Sequence, residues 1–184
     1  MSNVIAEIWR EVVEDPKLLI YCLQDTAASP RLHPNLVLSQ TDQACLFQGN
    51  LPALVAENAP YLARLRAGSP YARWFVRESW GHAWGLYCSS HAGIMELSAH
   101  FRRLLLARKE DGGLLQFRFY DPRVLSAYLP TCTAKELKQV FGPVEKFWME
   151  SGDFQSGGEL LEFALHGESL RLRRVALARE AMPA

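Results

Sequence analysis

The sequence has no excess of charge of either sign. Lys plus Arg and Asp plus Glu each number 20 among the 184 residues, so the formal net charge is zero. A general nucleic-acid-binding protein usually carries a basic excess, and this composition argues against that class. A chain without net charge also has little electrostatic repulsion from other molecules, which suits a protein that associates with a protein partner.

Long hydrophobic runs are also missing. The longest uninterrupted apolar stretches have about six residues, whereas a membrane-spanning helix needs roughly 20. The N-terminus carries Glu7, Glu11 and Glu14 and lacks the basic segment followed by an apolar run that marks a signal peptide. We therefore expect a soluble protein that is made and kept in the cytoplasm and has no membrane partner.

The sequence lacks the motifs of the common metal sites and enzyme classes. Glu96 and His100 are four residues apart, but no second histidine completes an HExxH zinc motif. There is no G-x-S-x-G element, no P-loop and no G-x-G-x-x-G loop. The cysteines form no CxxC pair and are expected to be reduced, buried thiols. They are Cys22, Cys45, Cys88 and Cys132. We expect no metal site, no cofactor and no catalytic activity.

The apolar content is sufficient for one core. Hydrophobic residues make up 49% of the chain, and its length suits one main domain. Glycine and serine clusters between residues 151 and 158 mark a flexible connection. Beyond it, residues 160–165 and 169–177 could pair as a hairpin. We therefore predict a main domain over residues 1–150 and a C-terminal β-hairpin appendage over residues 151–184.

Helical and strand-like patterns alternate through the main domain. Capping and periodicity signals predict helices over residues 2–14 and 94–108, and helices that begin near Ser29, Ser69, Asp121 and Thr133. Alternating or continuous apolar runs predict strands over residues 18–25, 44–47, 60–65, 82–88, 115–120 and 144–149. Val37 is expected to face the core and His100 to stay at the surface. The fold class is α/β: a mixed β-sheet flanked by helices, with a small C-terminal β appendage.

Residues 115–125 concentrate polar groups at a predicted strand-to-helix junction. Apolar side chains at positions 115, 117 and 119 alternate with polar ones, and Asp121-Pro122 carries the signals of a helix start. Junctions of this kind often carry sites in α/β proteins. The polar group comprises Arg118, Tyr120, Asp121 and Arg123. In the simpler interpretation, the aspartate caps a helix and one arginine pairs with it.

Asp25 and Asp121 offer a catalytic alternative. Each ends a predicted strand, and in a parallel part of one sheet their carboxylates would share one rim, as paired carboxylates do in hydrolases. No companion nucleophile or phosphate loop accompanies them, and both have local roles available, as a turn former and a helix cap. A small hydrolase is therefore the alternative function, and a ligand-binding module is a third.

Aromatic residues are dense between residues 71 and 87. They are Tyr71, Trp74, Phe75, Trp80, Trp84 and Tyr87. A core of this size buries several of them. Trp80 and Trp84 flank the start of the predicted 82–88 strand, which places Trp84 on the face of Leu86 and Cys88. One of the two tryptophans is expected to be exposed, and an exposed tryptophan is a typical anchor for a protein partner.

Six short blocks resemble a known family in their order along the chain. They are Tyr21-Cys22-Leu23-Gln24-Asp25, Ala59-Pro60-Tyr61-Leu62, Trp80-Gly81-x-x-Trp84-Gly85, His100-Phe101-Arg102-Arg103-Leu104, Phe117-Arg118-Phe119-Tyr120-Asp121-Pro122-Arg123-Val124 and Phe141-Gly142-Pro143-Val144. The third and fifth blocks are the specific ones. From Leu18 to Met149 the chain resembles the type VI secretion effector-chaperone (adaptor) domain, long catalogued as a domain of unknown function. It differs where the family's first strand tends to end in Leu-Asp-Gly-Ala, because Thr26 replaces the glycine.

The resemblance implies a non-catalytic cytoplasmic protein of Gram-negative bacteria. Such a protein binds a toxin effector and helps load it on the valine-glycine-repeat spike protein of the secretion apparatus. On this basis we expect binding through burial of a hydrophobic effector segment. The residues expected to shape the binding surface are Trp80, Trp84, Arg118, Tyr120, Asp121 and Arg123. Residues from 150 onward lie outside the resemblance and are expected to serve cargo specificity; their arginines form a solvated face or contact an acidic partner.

Overall fold

The computed structural model describes residues 2–108, 114–151 and 158–176. Over these ranges the chain forms a seven-stranded sheet, a separate two-stranded hairpin and seven α-helices. The predicted α/β class, with a sheet flanked by helices, is confirmed. Among the described residues, no helix has both the length and the apolar character needed to cross a membrane.

The helices and strands have the following bounds. The helices are α1 (Ser2–Glu14), α2 (Leu32–Ser39), α3 (Ala53–Glu57), α4 (Pro70–Ser79), α5 (Ile94–Leu104), α6 (Pro122–Tyr128) and α7 (Ala134–Phe141). The strands are β1 (Leu19–Asp25), β2 (Gln43–Cys45), β3 (Pro60–Leu65), β4 (Gly85–Ser90), β5 (Leu106–Arg108), β6 (Leu114–Gln116), β7 (Val144–Glu150), β8 (Glu159–His166) and β9 (Ser169–Ala176). The large sheet has the order β2-β3-β1-β4-β7-β8-β9, and β5 pairs with β6.

The large sheet is buried on both faces. Along β1, Tyr21 and Leu23 pack into one core, whereas Ile20 and Cys22 pack into the other. Helices α5, α6 and α7 cover the first face, and α1, α2 and α4 cover the second. Because successive side chains of a strand point to opposite faces, a strand covered on both sides is apolar at consecutive positions. This explains why β1 appears in the sequence as a continuous apolar run.

The sheet, predicted as mixed, is antiparallel at every pairing of the described strands. The parallel arrangement invoked for Asp25 and Asp121 is therefore wrong. Asp25 ends β1, but Asp121 follows a turn and belongs to no strand of the sheet. Whether two strands are parallel or antiparallel depends on the connections between them. The residue pattern of a single strand carries no information about this.

Two predicted elements near residue 110 end early. α5 stops at Leu104, because the next residues form β5 and pair with β6. The strand predicted over 115–120 ends at Gln116. Leu115 is exposed, whereas Phe119 is fully buried and stacks on Phe101 with ring centroids 5.4 Å apart. The side chain of Phe119 packs in the core, although its backbone lies in a turn. The alternating apolar residues at positions 115, 117 and 119 therefore show the pattern of a strand where no continuous strand forms.

Two helical side chains lie opposite to their predicted sides. Val37 is exposed, whereas His100 is buried with its Nε2 2.9 Å from the carbonyl oxygen of Val140. Gly142 makes room for this histidine, because a Cβ atom at position 142 would overlap the imidazole ring. A small residue on a neighbouring element therefore decides the burial of His100, which helical spacing alone cannot show.

Helix starts were predicted more accurately. Ser69 Oγ accepts a hydrogen bond from the backbone N–H of Ala72 at 3.1 Å, and Thr133 and Glu136 form a capping box. The helix expected from Ser29 begins later, at Leu32. Capping joins groups within three residues of each other, so it can be predicted from short stretches of sequence.

The predicted C-terminal hairpin is present and extends the large sheet. β8 pairs with β7 from Leu160 to Ala164, and Leu160 and Phe163 are buried in the two cores. The hairpin also contacts α1, because Arg173 donates hydrogen bonds to Glu7 at 2.8 Å and to Glu162 at 2.5 Å. The role of this segment in cargo specificity stays a prediction.

Candidate functional site

The predicted site residues meet at one end of the large sheet. Four segments contribute: the end of β1 at Asp25, the loop of residues 80–84 between α4 and β4, the turn of residues 118–123, and the end of β7 at Glu150. The first two are joined by the backbone N–H of Asp25, which donates to the carbonyl oxygen of Trp84 at 2.8 Å. We call these four segments the rim.

An ion pair between Arg118 and Asp25 joins the turn to β1. The Arg118 Nη2 donates to Asp25 Oδ2, while Asp25 Oδ1 accepts the backbone N–H of Ala27 at 3.2 Å. The Asp25 side chain is 8% exposed and that of Arg118 is 53% exposed. The guanidinium carbon also lies 5.8 Å from the centre of the Tyr120 ring, within cation–π range. A buried carboxylate and an aromatic ring thus hold a cation at the surface.

Asp121 and Arg123 form a second pair of the same kind. The guanidinium donates to both carboxylate oxygens, with Nε to Oδ1 at 3.0 Å and Nη2 to Oδ2 at 2.7 Å. Asp121 Oδ1 also accepts the backbone N–H of Arg123 at 2.9 Å, which confirms it as the cap of α6. Burial works to raise the pKa of Asp121, but the hydrogen bonds and charge of Arg123 and the charge of Arg118 outweigh it and lower the pKa.

Tyr120 lies between the two pairs. Its side chain is buried, and this burial, together with the negative charges of Asp25 and Asp121, raises the pKa of its hydroxyl. The Arg118 charge acts in the opposite direction. The structure therefore brings Asp25, Arg118 and Asp121 close to Tyr120, although the parallel-strand argument that linked the two aspartates is wrong.

Glu150 is a component of the rim that the sequence analysis missed. Its Oε1 accepts the backbone N–H of Ala83 at 2.5 Å, and its Oε2 accepts that of Gly81. Burial raises the pKa of Glu150, although the two N–H groups and the nearby charges of His82 and Arg123 act to lower it. A charged residue directly after the apolar run of β7 was the available signal. Glu150 holds the 80–84 loop against the end of β7.

The two tryptophans of the rim differ in exposure. Trp84 is buried, with the Arg31 guanidinium carbon 5.4 Å from its ring centre. It packs on the sheet face opposite to Leu86 and Cys88, which corrects the predicted placement, because β4 begins only at Gly85 and Trp84 precedes the strand. Trp80 is partly exposed and is the tryptophan that a partner can reach.

Gly85 is the second glycine of the Trp80-Gly81-x-x-Trp84-Gly85 block, and the structure explains why a glycine is needed there. A Cβ atom at this position would collide with the carbonyl oxygen of Leu23 on the neighbouring strand. Gly85 pairs with Gln24, next to Asp25, so this close approach lies directly beside the rim. The glycine therefore allows β4 to start close to β1 and positions Trp84 over the end of that strand.

The rim presents positive charge outward and keeps its negative charge inside. The Arg123 side chain is 63% exposed, whereas that of its partner Asp121 is 9% exposed, and the Arg118–Asp25 pair repeats the asymmetry. Guanidinium groups presented in this way can bind carboxylate groups or stack on aromatic rings of another protein. Over residues 2–108, 114–151 and 158–176, no group of three or more His, Cys, Asp and Glu side chains is arranged to hold a metal ion.

The cysteines have no role in this arrangement. All four are free thiols; Cys22 and Cys88 are buried, and Cys45 and Cys132 are partly buried. Burial raises the pKa of Cys22 and of Cys88 well above its ordinary value. Thiols with raised pKa values are poor nucleophiles near neutral pH.

Comparisons with known proteins identify one family. The model of the domain of unknown function DUF4123 matches residues 20–139, which run from β1 to α7 and include the rim except for Glu150. No curated protein and no solved structure matches the chain. Because the matched region is more than half of the 184 residues, the chain belongs to the DUF4123 family.

Proposed function

We propose that this chain is a non-catalytic cytoplasmic chaperone, or adaptor, that binds a toxin effector of the type VI secretion system. It helps load this effector on the valine-glycine-repeat spike protein. The resemblance of the six sequence blocks supports the proposal, and five of them lie wholly within the DUF4123 match. The chaperone acts by burying a hydrophobic segment of the effector at a surface that includes the rim.

One observation supports the binding role most directly: two exposed guanidinium groups are each held by a buried aspartate. Arg118 and Arg123 are held in place before any partner arrives, by Asp25 and Asp121 respectively. Side chains that are already ordered lose less conformational entropy on binding than free ones. Arginine and tryptophan are also the residues most enriched at the energetic centres of protein interfaces. The partly exposed Trp80 adds an aromatic anchor to the same end of the sheet.

The same pairs argue for binding over hydrolysis. A general acid or base must exchange a proton with its substrate at the working pH. Asp25 and Asp121 instead accept hydrogen bonds from arginines and backbone N–H groups, and the pKa of Asp121 is lowered further by Arg123. The hydrolase alternative is tested by screening generic esterase and phosphatase substrates with the wild-type chain and Asp121→Asn. Turnover that disappears in Asp121→Asn would support the hydrolase.

Co-purification tests the proposal. The tagged full chain is co-expressed with the toxin and spike reading frames that neighbour its gene, and both proteins are expected to co-purify with it. The double variant Arg118→Gln and Arg123→Gln should lower effector recovery about tenfold or more, since each lost anchor typically costs over 1 kcal/mol. Glutamine is preferred to glutamate because Asp121 and Glu150 are close to Arg123.

A matched control separates binding from folding. Arg66→Gln removes an exposed arginine that pairs with Asp42 beyond the opposite end of β3. It should leave effector recovery unchanged. The double variant should keep the midpoint of thermal unfolding close to the wild-type value. The proposal fails if the folded wild-type chain recovers neither protein, or if the rim variant recovers as much effector as the control.

A further inference from the structure

A groove of about 400 Å³ lies between the end of β2 and the β5–β6 hairpin. Its lining is mainly apolar and includes Leu46, Phe47, Leu105 and Leu106, together with Arg102 and Gln116. The Leu106 side chain is 59% exposed, so apolar surface remains open to solvent along the groove. A cavity of this volume accommodates a few side chains of a peptide.

Arg102 is the single charged residue among the described residues that line the groove. It projects from the last turn of α5, and its Nη2 donates to the carbonyl oxygen of Cys45 at 2.8 Å. Its Nε is buried and has no hydrogen-bond partner within the described part of the chain. Arg118 and Arg123 each have an aspartate partner, whereas no described aspartate or glutamate lines this groove.

The groove and the rim lie at the same end of the large sheet. The backbone N–H of Leu46 donates to the carbonyl oxygen of Pro60 at 2.9 Å, and Pro60 is the pairing partner of Asp25. On the other side, Gln116 lines the groove, and Arg118 of the rim follows two residues later. A segment bound at the rim can therefore extend into the groove without leaving this end of the sheet.

We propose that the groove binds a short apolar segment of the effector that carries one carboxylate, and that this carboxylate pairs with Arg102. The inference rests on the proposed function, since the occupant is a segment of the effector. An apolar segment without an acidic group would remove water from the Arg102 guanidinium and offer it no acceptor, which is costly. A carboxylate accepts charge-assisted hydrogen bonds from Arg102, while the leucines and Phe47 bury the neighbouring apolar side chains.

Photo-crosslinking from the groove tests this proposal. The photoreactive amino acid p-benzoylphenylalanine replaces Leu106 in the full chain, which is expressed in the native host and irradiated. Mass spectrometry then identifies the crosslinked peptide. We expect an effector segment that is mainly apolar and carries Asp or Glu within about two residues of the crosslink, since alternate side chains of an extended segment share a face. The same crosslinker at Leu38, an exposed residue outside this groove, should not capture that segment.

Variants of Arg102 test the role of its charge. Arg102→Gln retains a donor for the Cys45 carbonyl oxygen but removes the charge, and we expect about tenfold less crosslinked effector, the loss of one charge-assisted pair. Arg102→Lys should restore part of the yield. Arg103→Gln, which changes the exposed neighbour on the same helix, should leave it unchanged. Thermal unfolding of each variant verifies that the fold is retained.

The outcomes separate this inference from the proposed function. If the effector co-purifies but position 106 crosslinks to nothing, to a second copy of this chain, or to a segment without a carboxylate, the groove proposal is overturned and the chaperone function stands. An unchanged yield in Arg102→Gln also overturns it. If no effector co-purifies with the folded wild-type chain, the proposed function fails, and this inference fails with it.

Discussion

Arg118 and Asp25 are 93 residues apart in the chain and form an ion pair in which only the arginine reaches the surface. The pair joins the turn before α6 to the end of a central strand. It fixes the position of the cation and, with it, the orientation of the turn. An arginine held by a buried partner in this way belongs both to the framework and to the surface that we propose for the effector.

The Arg118–Asp25 pair should show measurable coupling. In a double-mutant cycle of Arg118→Ala and Asp25→Ala, we expect a coupling energy of about 1 kcal/mol, because the arginine is more than half exposed and solvent screens the pair. Urea unfolding of the four proteins measures it. Additive effects would mean that the pair contributes nothing to stability. Asp25→Ala should be the more destabilising single change, because Asp25 also accepts the N–H of Ala27.

Replacing Gly85 should disturb the rim from within the sheet. In Gly85→Ala, the new methyl group would collide with the backbone of Leu23, and β1 and β4 must separate locally. We expect a loss of about 2–3 kcal/mol of the free energy of unfolding, the upper part of the usual range for overpacking, because the collision is with backbone atoms. Gly93→Ala is the control, because a Cβ atom at Gly93 meets nothing within 4 Å, and it should cost about 1 kcal/mol or less. Equal losses would contradict this account.

Stability should depend on pH through His100. Burial, aided by the charge of Arg103, lowers the pKa of His100 below its ordinary value of 6.5, although the hydrogen bond to Val140 partly opposes this. As pH falls below 6.5, the unfolded chain takes up this proton first, so the stabilisation from neutral His100 is lost between pH 6.5 and the lower pKa of the folded state. The slope approaches at most about 1.4 kcal/mol per pH unit.

A variant that does not titrate isolates this effect. His100→Gln retains a donor for the Val140 carbonyl oxygen but has no proton to gain. The free energy of unfolding of the wild type minus that of the variant should fall as pH is lowered from 7 to 5. Contributions from other groups, such as the raised pKa of His91 beside Asp15, are present in both proteins and cancel. Parallel pH profiles would show that His100 titrates equally in the folded and unfolded states.

The ion network around Glu162 in the C-terminal hairpin should contribute more to the free energy of unfolding than the exposed pair of Arg174 and Glu159 in the same hairpin. Glu162 accepts hydrogen bonds from Arg173 and from the Trp148 indole N–H, and it lies 3.5 Å from Lys146 Nζ. Glu162→Ala leaves the buried indole N–H of Trp148 without its acceptor and removes one of the two carboxylate partners of Arg173, and we expect a loss of about 2–3 kcal/mol. Glu159→Ala breaks an exposed pair and should cost about 1 kcal/mol or less. Urea unfolding distinguishes the two, and similar losses would contradict the network.

Removing the hairpin should unfold the rest of the chain. A fragment that ends at Glu150 lacks the partner strand of β7 and the buried side chains of Leu160 and Phe163, which belong to the two cores. Fully burying such side chains contributes roughly 1.5–3 kcal/mol each, an amount comparable with the total stability of many domains once several are lost. We expect no cooperative thermal transition by circular dichroism. A fragment that melts cooperatively would show that residues 151–184 are a separate unit.

Much of the local structure could be predicted from the sequence. The caps at Ser69, Asp121 and Thr133 were identified correctly, because each cap joins groups only two or three residues apart. The apolar run of β1 and the turn of the C-terminal hairpin were also identified correctly, since both depend on neighbouring residues. The polar junction at Arg118–Arg123 was recognised as a unit, but the strand predicted to run into it was wrong beyond Gln116, because a turn beside a core can show the same alternation as a strand.

Near the rim, the helix cap at Asp121 and its pairing with an arginine can be predicted from local sequence, because those groups are neighbours along the chain. The pairing of Arg118 with Asp25, the hold of Glu150 on the backbone of Gly81 and Ala83, and the place of Arg102 in an apolar groove without a described acidic partner all come from the three-dimensional fold. Each of these depends on the antiparallel course of strands that are distant in sequence. Such contacts are stabilised by burial and by pairing across the sheet. The pattern of residues within one short segment does not show which distant segment it will contact.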